Sequence, residues 1–88
     1  MFAYRVYTYE SGQEYTDEFD VGYFFDRDDA VTAAAKEATA DNYRNKEYPS
    51  ENPWVVAEDG TWHRKNHMGD DAYVRIERIE IMGMPNIR

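Results

Sequence analysis

Eighty-eight residues with 42% apolar and 16% aromatic side chains suffice for one domain, 1–88, with a small core, because a chain of this size buries only about 60% of its unfolded surface. The net charge of −8 disfavours direct DNA or RNA binding, since phosphate contacts are driven by Lys and Arg releasing counterions. Zero cysteines exclude disulfides and thiolate metal sites. No apolar run approaches the roughly 18 residues of a membrane span, and Met1 to Glu10 lacks the pattern of a signal peptide, so a soluble cytoplasmic protein is expected.

Phe2, Tyr4, Val6 and Thr8 alternate with Ala3, Arg5, Tyr7 and Tyr9, a period of two in a β-branched and aromatic run that predicts a strand. Ser11-Gly12 offers a tight turn. A second strand at about Gln13 to Phe19 should pair back on the first, with a break or bulge at Gly22. Asp26 is a good N-cap, Asp28 and Asp29 fit a first turn, and Ala30, Val31, Ala34, Ala35 and Ala38 recur at three and four. These features predict a helix from about Arg27 to Tyr43, roughly 25 Å long, whose alanine stripe can lie close to a sheet.

Asn42 to Pro53 is polar and broken by Pro49 and Pro53, which predicts a loop. Trp54 to Ala57 should form a short strand ending at Glu58-Asp59-Gly60, with Thr61 to Lys65 returning as its hairpin partner. Asn66 to Asp71 is a polar connection. In the last strand, Ala72 to Met82, Val74 and Ile76 share one face and Ile79 and Ile81 the other, so a bulge or sharp twist is expected near Glu77-Arg78. The expected class is α+β: a small, mostly antiparallel sheet of about four to five strands packed against one α-helix.

Few residues suggest chemistry. His63 and His67 are four apart, but Arg64 and Lys65 lie between them and Asn66 and Gly69 disfavour a helix, so no metal site is expected. The pairs Asp28/Asp29, Glu58/Asp59 and Asp70/Asp71 fit a helix start, a turn and a loop better than an acid–base dyad. There is no Gly-rich phosphate loop, and the serines, Ser11 and Ser50, lie in turn-like contexts; neither catalysis nor a cofactor is expected. Trp54 and Trp62 are expected to pack in the core or across strands, and Tyr4, Tyr7 and Tyr9 to divide between the core and an outer face.

The window from Glu10 to Asp29 is unusual. It holds eight acids, Glu10, Glu14, Asp17, Glu18, Asp20, Asp26, Asp28 and Asp29, against one base, Arg27, a net −7. Tyr15, Phe19, Tyr23, Phe24 and Phe25 are interleaved with them, and a disordered acidic tail would lack such rings. Met1 to Arg44 carries ten acids and four bases, net −6, and Asn45 to Arg88 eight and six, net −2, so any electrostatic function belongs to the first half. A solvated face accounts for part of this charge. It accounts less well for Glu14, Asp17, Glu18 and Asp20 with no Lys among them, because an ordinary surface mixes signs. On a strand, same-face residues such as Glu18 and Asp20 lie roughly 6.6 to 6.8 Å apart, about two of the 3.4 Å axial steps between charges on a DNA strand.

In size, acidic 10–29 window, Tyr and Asp content and lack of Cys, the chain resembles the small acidic inhibitors of bacteriophages that imitate DNA and occupy the nucleic-acid grooves of host factors. The segment from Gly22 to Ala30 also looks like the strand-to-helix junction of short phage β-α-β proteins. The resemblance implies a DNA-mimic inhibitor, in the cytoplasm of a bacterial host cell, of a basic DNA-binding protein. Known targets of such inhibitors are HU proteins, restriction enzymes, CRISPR nucleases and RNA polymerase, and the shape-selective groove of HU is the favoured one. Glu14, Asp17, Glu18, Asp20, Asp26, Asp28 and Asp29 would face the partner, with Tyr15 and Tyr23 as apolar anchors. The alternative expectation is an adaptor module that recruits a partner through an exposed strand edge or Tyr-rich face, its acidity serving only solubility. Pairing of the aromatic first strand across a two-fold axis is open in either case.

Overall fold

The computed structural model describes residues 1–40, 53–66 and 68–81. Their order is β1 (Phe2–Ser11), β2 (Thr16–Phe24), α1 (Arg27–Ala38), β3 (Val55–Val56), β4 (Trp62–Lys65) and β5 (Asp71–Glu80). The strands form one antiparallel sheet in the order β2-β1-β5-β4-β3, with α1 against one face, the α+β architecture expected from the sequence. None of the described helices is long and apolar enough to cross a membrane.

The helix begins where local chemistry places it: the Asp26 carboxylate accepts the Asp28 N–H at 2.7 Å, and Asp28 and Asp29 sit at the positive end of the helix dipole. It is shorter than expected. The Thr39 N–H makes the last regular bond, to the Ala35 carbonyl at 3.1 Å, which the Thr39 hydroxyl shares at 2.8 Å, and the Ala40 N–H turns to the Glu37 carbonyl at 3.3 Å, so the helix ends after Ala38. Residues 41–43 of the expected helix, and the expected loop as far as residue 52, lie outside the described residues. Twelve residues make roughly 18 Å of helix. Ala30, Ala34 and Ala38 are almost completely buried against Val6 and Val74, with Tyr4, Phe24, Trp54, Trp62 and Ile76 around them. Both tryptophans therefore pack at the core.

The first hairpin departs from the expected turn. Gly12 N–H donates to the Tyr15 carbonyl at 3.0 Å, so the connection consumes Gly12 to Tyr15 and β2 starts three residues later than expected, at Thr16. A Cβ on Gly12 would collide with the Tyr15 ring and the Asp70 carboxylate. The bulge is present one residue before Gly22: Val6 pairs with Gly22 and Tyr7 with Asp20, which leaves Val21 as the extra residue.

β3 and β4 form the expected second hairpin around Glu58 to Gly60, and Gly60 has a φ of 91° that favours glycine. Of the bulge or sharp twist expected near Glu77-Arg78, the bulge is absent. β5 pairs with β1 without a register shift from Ser11↔Asp71 to Phe2↔Glu80. The apolar phase change is instead shared between the two faces: Val74 and Ile76 lie under α1, whereas Ile79 pairs with buried Ala3 on the face away from the helix.

Candidate interaction surface: the acidic edge strand

Strand order makes β2 an outer strand, paired on one side only among the described residues. Most of its residues are exposed. Since alternate residues point to opposite faces, pairing with β1 assigns each side chain: Thr16, Glu18, Asp20 and Tyr23 share the face away from α1, and Asp17, Phe19, Gly22 and Phe24 the helix side.

The seven carboxylates expected to face a partner therefore do not form one row. Glu14 lies in the β1–β2 turn, at an open cleft of about 510 Å³ that Gln13, Tyr15, Met68 and Asp70 also line. Asp17 is on the helix side, whereas Glu18 and Asp20 share the opposite face, the two-residue spacing anticipated for a phosphate-like pair. Asp26 is engaged as the helix cap, and Asp28 and Asp29 are exposed in the first turn.

Glu18 and Asp20 are bridged by a cation. The Arg5 guanidinium lies 2.6 Å from each carboxylate and 3.5 Å from Glu77, and it stacks over the Tyr7 ring at 4.0 Å. Three carboxylates around one guanidinium leave a local excess of −2. The hydrogen bonds that Arg5 donates to Glu18 and Asp20 hold its proton more firmly than usual, and the bonds donated by Arg5 and Tyr23 hold Asp20 below its ordinary value. Glu14, Asp17, Asp28 and Asp29 have no cationic partner among the described residues.

The two tyrosines expected as anchors differ. Tyr23 is 59% exposed and donates its hydroxyl to Asp20 at 2.9 Å, which raises its pKa. Tyr15 is half-buried: its hydroxyl donates to Asp70 at 3.0 Å and accepts from the Asn66 amide at 3.3 Å, and burial pushes its pKa up. Tyr15 therefore ties the first turn to the β4–β5 turn. Sequence reasoning gave no role to Phe19, Val21 or Phe25, which are 62%, 36% and 73% exposed on β2 and just after it. Their alternation with acids is visible in the sequence, but their exposure follows from β2 being an outer strand.

The rest of the open face is closed by stacking. Arg75 lies over Tyr9 and Tyr73, at 4.5 and 4.2 Å, and Tyr73 stacks on His63 at 4.6 Å. His63 and Lys65 both contact the Asp71 carboxylate, at 3.0 and 2.9 Å, and Asp71 is held below its ordinary value by Lys65 first and His63 second. His67 lies outside the described residues, among which no three His, Cys, Asp or Glu gather as they would around a metal ion. Tyr4 is on the helix side and Tyr7 and Tyr9 on the open face, the division expected from the sequence.

Asp20 and Asp71 give stability a defined pH dependence. Near neutrality both are ionised in the folded and the unfolded chain, so their contribution is complete. As pH falls below the ordinary 3.8 the unfolded chain protonates first, and stability falls until the folded groups protonate as well. Urea midpoints are therefore expected to drop as pH falls below the ordinary 3.8, and less steeply for Arg5→Gln, which removes the main cause of the Asp20 shift. Equal slopes for the two proteins would remove Arg5 from this role.

Comparison with protein-family models, curated proteins and solved structures finds no match to this chain.

Proposed function

We propose that the chain is a protein-interaction module that captures a basic partner along the outer edge of β2. The observation that carries this is the composition of that edge: an exposed strand, paired on one side only among the described residues, presents Phe19, Val21 and Tyr23 among Asp17, Glu18 and Asp20, with Glu14 and the Asp28/Asp29 pair at its two ends. Exposed apolar groups supply contact area, and surrounding charge of one sign steers a complementary surface and repels like-charged competitors. The strand edge of the adaptor expectation and the acidic window of the mimic expectation fall on the same segment, and the reading differs from the adaptor expectation in giving the acids a part in binding.

A DNA-mimic inhibitor of a basic DNA-binding protein such as HU, acting in the cytoplasm of a bacterial host, is the narrower form. Glu18 and Asp20 on one face favour it. The Arg5 guanidinium between them and the placement of Asp17 on the other face weigh against a continuous phosphate-like row.

Displacement of a fluorescent duplex from HU over a salt series tests both forms, with the variant E14Q/D17N/E18Q/D20N alongside. Salt-sensitive displacement that the variant loses supports mimicry. HU binding without displacement, again lost in the variant, supports the interaction module alone. HU binding that the variant retains would show that the acids serve solubility and move the contact surface to the Tyr-rich face.

A further inference from the structure

We propose that the edge of β2 at Thr16 to Asp20 takes an extended segment of the partner as a sixth strand, and that this segment alternates basic with apolar side chains. The proposal rests on the reading of β2 as the partner-binding edge and adds the way the partner is held. From Ser11↔Thr16 to Tyr7↔Asp20 the strand is in unbroken register with β1, and the Val21 bulge then ends the regular stretch. Five residues of regular edge span roughly 17 Å, and a strand added there would satisfy its outward backbone groups.

The faces of β2 set the pattern of the added strand. On the face away from α1 it would lie beside Glu18 and Asp20, where the carboxylates outnumber the Arg5 charge, so Lys or Arg is favoured there. On the helix side it would lie beside exposed Phe19, so an apolar residue is favoured between the two bases, with Asp17 beyond it on the same side. A second copy of this chain is the wrong occupant, because pairing two β2 edges would set two stretches that each carry Asp17, Glu18 and Asp20 side by side with no base within either stretch.

The test uses the full chain and three labelled peptides of about seven residues. The first alternates lysine and valine, the second has the same composition with the lysines in one block, and the third is the alternating peptide N-methylated at every second amide. The alternating peptide is expected to bind about tenfold or more tighter than the other two and to slow amide exchange within Thr16 to Asp20. Phe19→Thr, at an exposed position, should weaken it severalfold with the circular dichroism spectrum unchanged.

Equal binding of all three peptides, each weakened by E14Q/D17N/E18Q/D20N, would overturn strand addition while leaving the acidic edge as a partner surface. Binding of none of them would also overturn it, and the HU measurement then decides the interaction module separately. Tight alternating-peptide binding without exchange protection in β2 would move the site elsewhere and overturn the proposal.

Discussion

Replacing Asn66 with alanine is expected to lower the unfolding free energy by about 2–4 kcal/mol, a large share of the stability of so small a domain. Asn66 is only 8% exposed. Its Oδ1 accepts the N–H groups of Met68 and Asp70, at 2.8 and 2.9 Å, and its Nδ2 donates to the Tyr15 hydroxyl at 3.3 Å. Alanine leaves two part-buried backbone donors without an acceptor and removes one of the two bonds, beside Tyr15 to Asp70, that link the two turns at this end of the sheet. Tyr15→Phe removes only the hydroxyl and should cost about 1 kcal/mol. In the double variant the two losses should not add, because the Asn66 amide and the Tyr15 hydroxyl share one network. Urea unfolding with an unchanged m-value checks this, and additive losses would show that the two turns are stabilised independently.

Ala34→Leu is expected to destabilise by about 1–3 kcal/mol, although leucine is nearly as good a helix former as alanine. Ala34 is 0% exposed and packs in the cluster formed with Val6, Ala30, Ala38 and Val74. A larger side chain must push α1 off the sheet or force neighbours from their rotamers. Thr32→Leu, on the exposed side of the same helix, should change stability by less than about 0.5 kcal/mol. Val74→Ala should partly rescue Ala34→Leu by making room, with a favourable coupling of about 0.5 kcal/mol or more in thermal or urea unfolding. Equal costs at positions 34 and 32 would mean that the alanine stripe is a matter of helix propensity and not of close approach.

Both variants also bear on the interaction surface. α1 rests on the same sheet whose outer strand is β2, and Asn66 with Tyr15 anchors the turn that delivers the chain into β2. Loosening either should weaken the proposed partner capture without removing a side chain from the edge itself.

Much of this architecture is legible in the sequence because its causes are local. Asp26 caps the helix through the N–H two residues on, the alanine stripe follows from a period near 3.6, and the alternation in β1 follows from a period of two. The end of the helix is less legible, since the Thr39 hydroxyl on the Ala35 carbonyl and the turn of the Ala40 N–H to Glu37 interrupt a pattern that otherwise continues. A bulge near Gly22 could be anticipated, but its position at Val21 depends on how β1 is paired. The phase change in β5 reads as a break only because the sequence does not reveal that the face away from the helix buries Ala3 opposite Ile79.

The sequence alone determined that this is a small α+β protein with an acidic, aromatic first half, because composition and short-range periodicity are properties of neighbouring residues. Only the tertiary structure decided that β2 lies at the rim, that Asp17 is separated from Glu18 and Asp20, and that Arg5 binds the latter pair. Those outcomes rest on contacts between residues 13 and 15 positions apart, or on strand order, and periodicity along one segment carries no information about which other segment it will meet.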